Sequence, residues 1–244
     1  MNLVNRLLLF FGVLLFCPAC VIDLDDDFNG DCVRGRGDLI AVDLNLADFS
    51  GIQLEIDAQV ILRQGSSQSV TIEAEENIID LIDLDVRNDI WEIDFEDCVR
   101  DYDNIRIFIE MPNISRLTVT GSGLIRGDNL FEVDEIDLII SGSGDIDLAV
   151  NADFIDGKIS GSGKTYLEGN ANRFDFEISG SGDYRAFNLN ALRGDIEIRG
   201  SGDAEVRVEE ELDVEIRGSG DVFYRGFPVL DVQILGSGQV INAN

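Results

Sequence analysis

Carboxylates recur in this sequence at a nearly fixed interval, a pattern suited either to binding a hard cation or to capping a repeated backbone turn. Asp137, Asp156, Asp175, Asp195, Asp213 and Asp231 follow one another at a near-constant spacing. A second series, Asp145, Asp183, Asp203 and Asp221, keeps the same phase, with Lys164 and Gln239 filling two of its places. Oxygen ligands repeated at the spacing of a stacked turn can share a divalent ion. Asp145, Asp183, Asp203, Asp221, Asp175, Asp195 and Asp213 are therefore candidate Ca²⁺ ligands. The alternative is that each aspartate accepts a backbone N–H at a corner and stays solvated. Unit charges stacked about 4.8 Å apart repel by roughly 0.9 kcal/mol in water. Arg199 and Arg217, one turn apart beside Ser-Gly-Asp corners, offer local neutralisation.

The same composition excludes other chemistry. The chain has no histidine, which removes the commonest general base, the Ser-His-Asp and Cys-His arrangements and every histidine-containing zinc site. Beyond Ala19 there are 48 acidic and 17 basic side chains, a formal net charge of −31. Nucleic acid and anionic lipid surfaces, which need a basic patch, are not expected partners.

The acidic series are held in phase by a repeat. Gly-Ser-Gly begins at Gly121, Gly142, Gly161, Gly180, Gly200, Gly218 and Gly236. Two residues before each first glycine stands Val119, Ile140, Ile159, Ile178, Ile198, Ile216 or Ile234. Two residues earlier comes Leu117, Leu138, Gly157, Phe176, Ile196, Val214 or Val232, so the approach to the corner alternates with the period of a strand. After the corner the alternation resumes at Ile125, Ile146, Thr165, Tyr184, Ala204, Val222 and Val240. A polar segment such as Asn151-Ala152-Asp153 or Asn170-Ala171-Asn172 reads as a second corner. Glycine suits the tight corner by permitting positive φ and by letting backbone stack on backbone. A unit of this length cannot bury its apolar face alone and must stack. The expected fold is all-β, a right-handed parallel β-helix with rungs of about 18–21 residues. Propeller blades need about 40 residues, and the Leu/Asn ladder of a leucine-rich repeat is absent.

Ile52, Leu54 and Ile56 alternate like the later strands, and Asp57-Ala58-Gln59 sits where Gly-Ser-Gly would be. The stretch from Asp57 to Gly121 has the length of close to three further turns with degenerate corners. The expected organisation is a leader over 1–19, a lipid-anchored acidic tether over 20–36 and a solenoid over 37–244. Rungs are looser over 37–115 and regular over 116–244.

The leader has Arg6 as its positive region, Leu7 to Phe16 as its apolar stretch and Pro18-Ala19 before Cys20. That apolar stretch is too short to span a bilayer as a helix, so the chain is expected to be exported. Cys20 is the candidate lipidation site; Cys17 stands where a lipobox usually has leucine. Lipid on Cys20 leaves an even pair, Cys32 and Cys98, for a disulfide in an oxidising compartment, whereas ordinary cleavage leaves three thiols. The acidic run from Val21 to Gly30 resembles the surface-export signal of Bacteroidetes lipoproteins.

The segments Asp48 to Gly65 and Met111 to Gly123, with the serial Gly-Ser-Gly-Asp turns, resemble the bacterial family described as "putative autotransporter adhesin, head GIN domain". The resemblance covers about Arg34 to Asn244. It implies a β-solenoid, often lipid-anchored, frequent in Bacteroidetes and adhesin-like, placed at the outer membrane, cell surface or periplasm. No catalytic residues carry over.

Three functional classes follow. A non-catalytic binding or scaffold rod suits repeats almost free of insertions, with a protein or glycan ligand on the solenoid face; Tyr166, Tyr184 and Tyr224 are stacking candidates whose other home is the core. A Ca²⁺-binding solenoid is the second class, and no other cofactor is implied. A β-helix polysaccharide-acting enzyme is the third, although Lys158 and Lys164 are the only lysines and no long loops frame a cleft. The last Gly-Ser-Gly is followed only by Gln239 to Asn244. The last rung is therefore expected to expose its Ile234 and Val240 columns, and to fray or to pair with a second copy or a partner.

Overall fold

Alternation of apolar and polar residues forces each repeat to lie as extended chain, and stacking then closes the apolar side. The structure, a computed structural model, describes residues 32–244; the leader, Cys20 and the first part of the tether lie outside them. Strands that enter the corners pair in parallel from Ile90–Ile93 through Gly51–Leu54 and Arg116–Val119 to Val229–Ile234. Strands that leave the corners pair in parallel from Ile105–Met111 through Ala58–Gln64 and Leu124–Gly127 to Val240–Asn242. The result is a parallel β-solenoid, with seven regular Gly-Ser-Gly turns. Val119, Ile140, Ile159, Ile178, Ile198 and Ile216 form one fully buried column, each side chain worth about 1.5–3 kcal/mol by burial.

Of the two expected reasons for the corner glycines, backbone stacking on backbone holds and positive φ does not. None of the Gly-Ser-Gly glycines has a positive φ. What they lack is room: a Cβ on Gly161 would lie 2.0 Å from the carbonyl oxygen of Gly142, and one on Gly200 would lie 2.1 Å from that of Gly180. The serine between them contributes its backbone, with the N–H of Ser201 donating to Gly180 O at 2.9 Å and that of Ser219 to Gly200 O at 2.8 Å.

The polar segments read as second corners do not interrupt the strands. Asp145–Ile159, Lys164–Ile178 and Asp183–Ile198 are continuous. The ladder passes through them with register shifts, between Tyr166 and Glu168 and between Ala186 and Asn190, and Gly169 there takes φ 118°. Asn170 Nδ2 donates to Asn151 Oδ1 in the turn below at 2.9 Å. Core volume is matched between turns: Phe176 occupies the space that a side chain on Gly157 would need, with a Cβ there falling 1.8 Å from its ring.

Residues 58–120 do not add three turns in chain order. The corner at Asp57 lies directly beneath the one at Gly121, since Thr120 N–H donates to Leu54 O at 2.9 Å and a Cβ on Gly121 would meet Glu55 O at 2.7 Å. The intervening chain builds one layer, Ile90–Ile93 and Ile105–Met111, on the far side of Gly51–Leu54 and Ala58–Gln64. It then closes that end with antiparallel strands. Val86–Arg87 folds back on Ile90–Ile93 through Asn88 and Asp89, both at positive φ, a type I′ hairpin that suits these residues. Ser69–Glu75 pairs antiparallel with Ile105–Met111, and Leu39–Leu44 pairs antiparallel with Ser69–Glu75. The helical turn Glu76–Ile79 crosses this end, where Ile78, Ile82 and Trp91 are buried. Cys32 and Cys98 are joined by a disulfide with Cα atoms 4.7 Å apart, beside the parallel pair Val33–Arg34 and Val99–Arg100.

Gly200→Ala should destabilise the protein by about 1–3 kcal/mol, because the turn below must move away from the new methyl. Ser201→Ala keeps the ladder N–H and should change stability by less than about 0.5 kcal/mol. Urea midpoints of the two variants with an unchanged slope check the contrast.

Candidate functional site

The corner aspartates face the backbone of the next turn. Asp145 Oδ1 accepts the N–H of Lys164 at 2.7 Å, Asp203 Oδ1 that of Asp221 at 2.8 Å, and Asp221 Oδ1 that of Gln239 at 2.8 Å. Asp183 Oδ1 accepts the N–H of Asp203 at 3.3 Å, while Arg185 and Lys164 reach its other oxygen at 3.0 and 3.2 Å. Burial acts to raise the Asp183 pKa, and these bonds outweigh it, holding the carboxyl below the usual range. Each of these carboxylates thus satisfies a backbone donor that the corner leaves free.

The other series lies on the strand entering the corner. Asp137, Asp156, Asp175, Asp195, Asp213 and Asp231 are direct cross-strand neighbours. Among the described residues only Asp137 of the six has an ion pair, with Arg116 at 2.7 Å. Asp156 and Asp195 have raised pKa values, from partial burial first and then from the neighbouring aspartates. Beside them runs a row of glutamates that is neutralised. Arg199 pairs with Glu177 and Glu197, and Arg217 with Glu197 at 3.1 Å and Glu215 at 2.6 Å. The expectation that these arginines would serve the corner aspartates is corrected. Arg199 and Arg217 lie two residues along the same strand from Glu197 and Glu215, so they share that face, and this period of two was the available signal. The Asp and Glu rows together line a shallow acidic groove that includes Asp175, Glu177, Asp195 and Glu197.

The two acidic series do not converge, because the Gly-Ser-Gly corner separates them. Among the described residues no three or more of His, Cys, Asp and Glu are grouped so that they could hold a metal ion. Of the aromatic candidates, Tyr166 is exposed, Tyr184 is buried and stacked on Phe176 at 3.9 Å between centroids, and Tyr224 packs partly buried against the core. Sequence reasoning missed other aromatics at the surface: Phe108 and Phe227 are exposed, and the half-buried Phe187 has the Arg225 guanidinium 4.0 Å above its ring. An Asn row, Asn151, Asn170 and Asn190, runs along another side of the stack.

Asp195 sets a pH dependence. A raised carboxyl pKa means that the folded state holds the proton more tightly, so the associated stability is present below the ordinary value of 3.8 and is lost as pH rises through the raised value. Asp195→Asn should therefore raise Tm at neutral pH, with the gain shrinking as pH falls through the carboxylate range; thermal melts across pH read this directly. With the corner carboxylates already occupied by N–H donors, millimolar Ca²⁺ should raise Tm no further than NaCl of matched ionic strength, the result expected of screening. A larger Ca²⁺ shift would reveal binding to the folded state.

No curated protein matches the chain. The solved structure of a putative adhesin from Bacteroides fragilis superposes with a TM-score of 0.80 at 23% identity, covering 86% of this chain and 99% of that one. A putative lipid binding protein from Parabacteroides distasonis gives 0.73 at 20%, with coverage of 86% and 99%. A putative adhesin from Parabacteroides merdae gives 0.68 at 21%, with coverage of 87% and 100%. At these identities the likeness establishes the shared solenoid fold. The sequence itself carries the assignment further: residues 48–228 match the family described as "Putative auto-transporter adhesin, head GIN domain", and the chain belongs to that family.

Proposed function

We propose that this protein is an exported, lipid-anchored β-solenoid of the cell envelope that acts as a non-catalytic, adhesin-like binding rod. The observation that carries the reading is the alignment of identical groups into long rows. Carboxylates, Arg-paired glutamates and asparagines stand one per turn along flat faces, with tight corners between them. Such a surface offers the same contact repeatedly to an extended ligand, and many weak contacts sum to avidity. A glycan or an extended protein fits this geometry, with Tyr166 available for stacking. Family membership and the adhesin descriptions of the structural neighbours support the same reading. The lipid anchor is assigned to Cys20, and the described chain enters the solenoid at its closed end, where Cys32 is tied to Cys98. No helix among the described residues is long and apolar enough to cross a membrane, so in this reading attachment falls to the lipid.

Cys20→Ser should move the protein from the membrane fraction to the soluble fraction. Unchanged membrane association in that variant would overturn the anchor. Binding of the released protein to arrayed glycans and matrix proteins should weaken in an Asp195→Asn, Glu197→Gln double variant. Turnover of a polysaccharide, rather than binding, would overturn the non-catalytic reading.

A further inference from the structure

The turn Gly226 to Asn244 differs from those before it. The stretch below it, Val208 to Arg225, carries eight charged side chains, whereas Gly226 to Asn244 carries one, Asp231. The loss is column by column. Val229 stands over Glu211 and Gln233 over Glu215. Leu235 follows Arg217 in its column, and its N–H donates to Ile216 O at 2.7 Å. Asp221 is followed by Gln239, whose N–H it accepts. The inward residues Leu230, Val232 and Ile234 are exposed because no layer among the described residues covers them. The outward ones are exposed as well, Phe227 at 86%, Val229 at 75% and Leu235 at 61%. Inward exposure alone is what any open rung shows. Replacement of outward charges by apolar groups is what a rung inside an interface needs.

We infer that this tip is a self-association surface that joins two copies of the chain tail to tail about a two-fold axis. Three observations select a second copy as the occupant. Among the described residues, Val229–Ile234 and Val240–Asn242 pair on one side only, with Ala204–Ile216 and Val222–Arg225 respectively. A two-fold brings each edge against its own copy in antiparallel order, which satisfies both rows of N–H and C=O groups. The opposite end of the stack carries antiparallel strands, Leu39–Leu44 outermost, and the helical turn Glu76–Ile79, so the two ends differ in strand order and the tip is matched by a copy of itself rather than by the other end. Finally, the tip is the nearly uncharged part of a strongly acidic chain. End-to-end contact buries apolar groups while keeping the acidic rows of the two copies apart, whereas side-by-side packing would juxtapose them. If the rod is held to the envelope at its closed end, a consequence that rests on the function proposed above, tips on facing cells could meet.

Sedimentation and light scattering of the purified protein over about a thousandfold concentration range test the pairing. The expected result is a monomer–dimer equilibrium, with amides of Val229–Ile234 gaining hydrogen-exchange protection as concentration rises. Val229→Glu and Leu235→Arg restore the residues of the turn below, so the fold tolerates them; each should raise the dimer dissociation constant at least about tenfold. Val229→Ile should leave it unchanged. A protein that stays monomeric throughout, forms open filaments, or associates equally in the charged variants would overturn the inference. Release by Cys20→Ser bears on the anchor alone and leaves the pairing standing.

Discussion

Backbone contact between successive turns at the Gly-Ser-Gly corners is the constraint from which the rest follows. The carbonyl of one glycine lies where the next glycine would carry its Cβ, so no other residue lets the layers approach to strand-pairing distance at that corner. Once the corner is pinned, register is pinned on both strands that leave it. A slip of one residue would turn every buried Ile of the central column outward and every Asp inward. The alignment of the acidic rows is therefore a by-product of corner packing rather than of attraction among their members.

That alignment concentrates like charge, and the molecule handles it in three ways. The corner aspartates accept N–H groups that would otherwise be unpaired. The glutamate row is interleaved with Arg199 and Arg217. The remaining aspartate row is left largely uncompensated, and partial burial first, then the neighbouring aspartates, raise the pKa values of Asp156 and Asp195.

The two ends answer the edge-strand problem in opposite ways. One end reverses chain direction, uses a hairpin through Asn88 and Asp89, and covers the last layer with Ile78, Ile82 and Trp91. The other end keeps its parallel strands open while shedding charge. Parallel edges left bare in this way favour pairing with a further strand.

How much of this was legible in the sequence depends on whether a feature was local or relational. The repeat period, the buried Ile column, the parallel pairing and the in-phase aspartates could all be read directly, because a period-two strand between fixed corners leaves one way to bury its apolar side. The family resemblance could be read for the same reason. The partners of Arg199 and Arg217 and the role of Gly157 beside Phe176 depended on which side chain each meets one turn away. The order of layers in the N-terminal half was hidden more deeply. Sequence gives distance along the chain, and the separation of Asp57 from Gly121 suggested three turns. Only tertiary packing decided that Asp57 lies beneath Gly121 and that the residues between them close the stack, because an end layer has no neighbour beyond it and must find antiparallel partners from its own connecting chain.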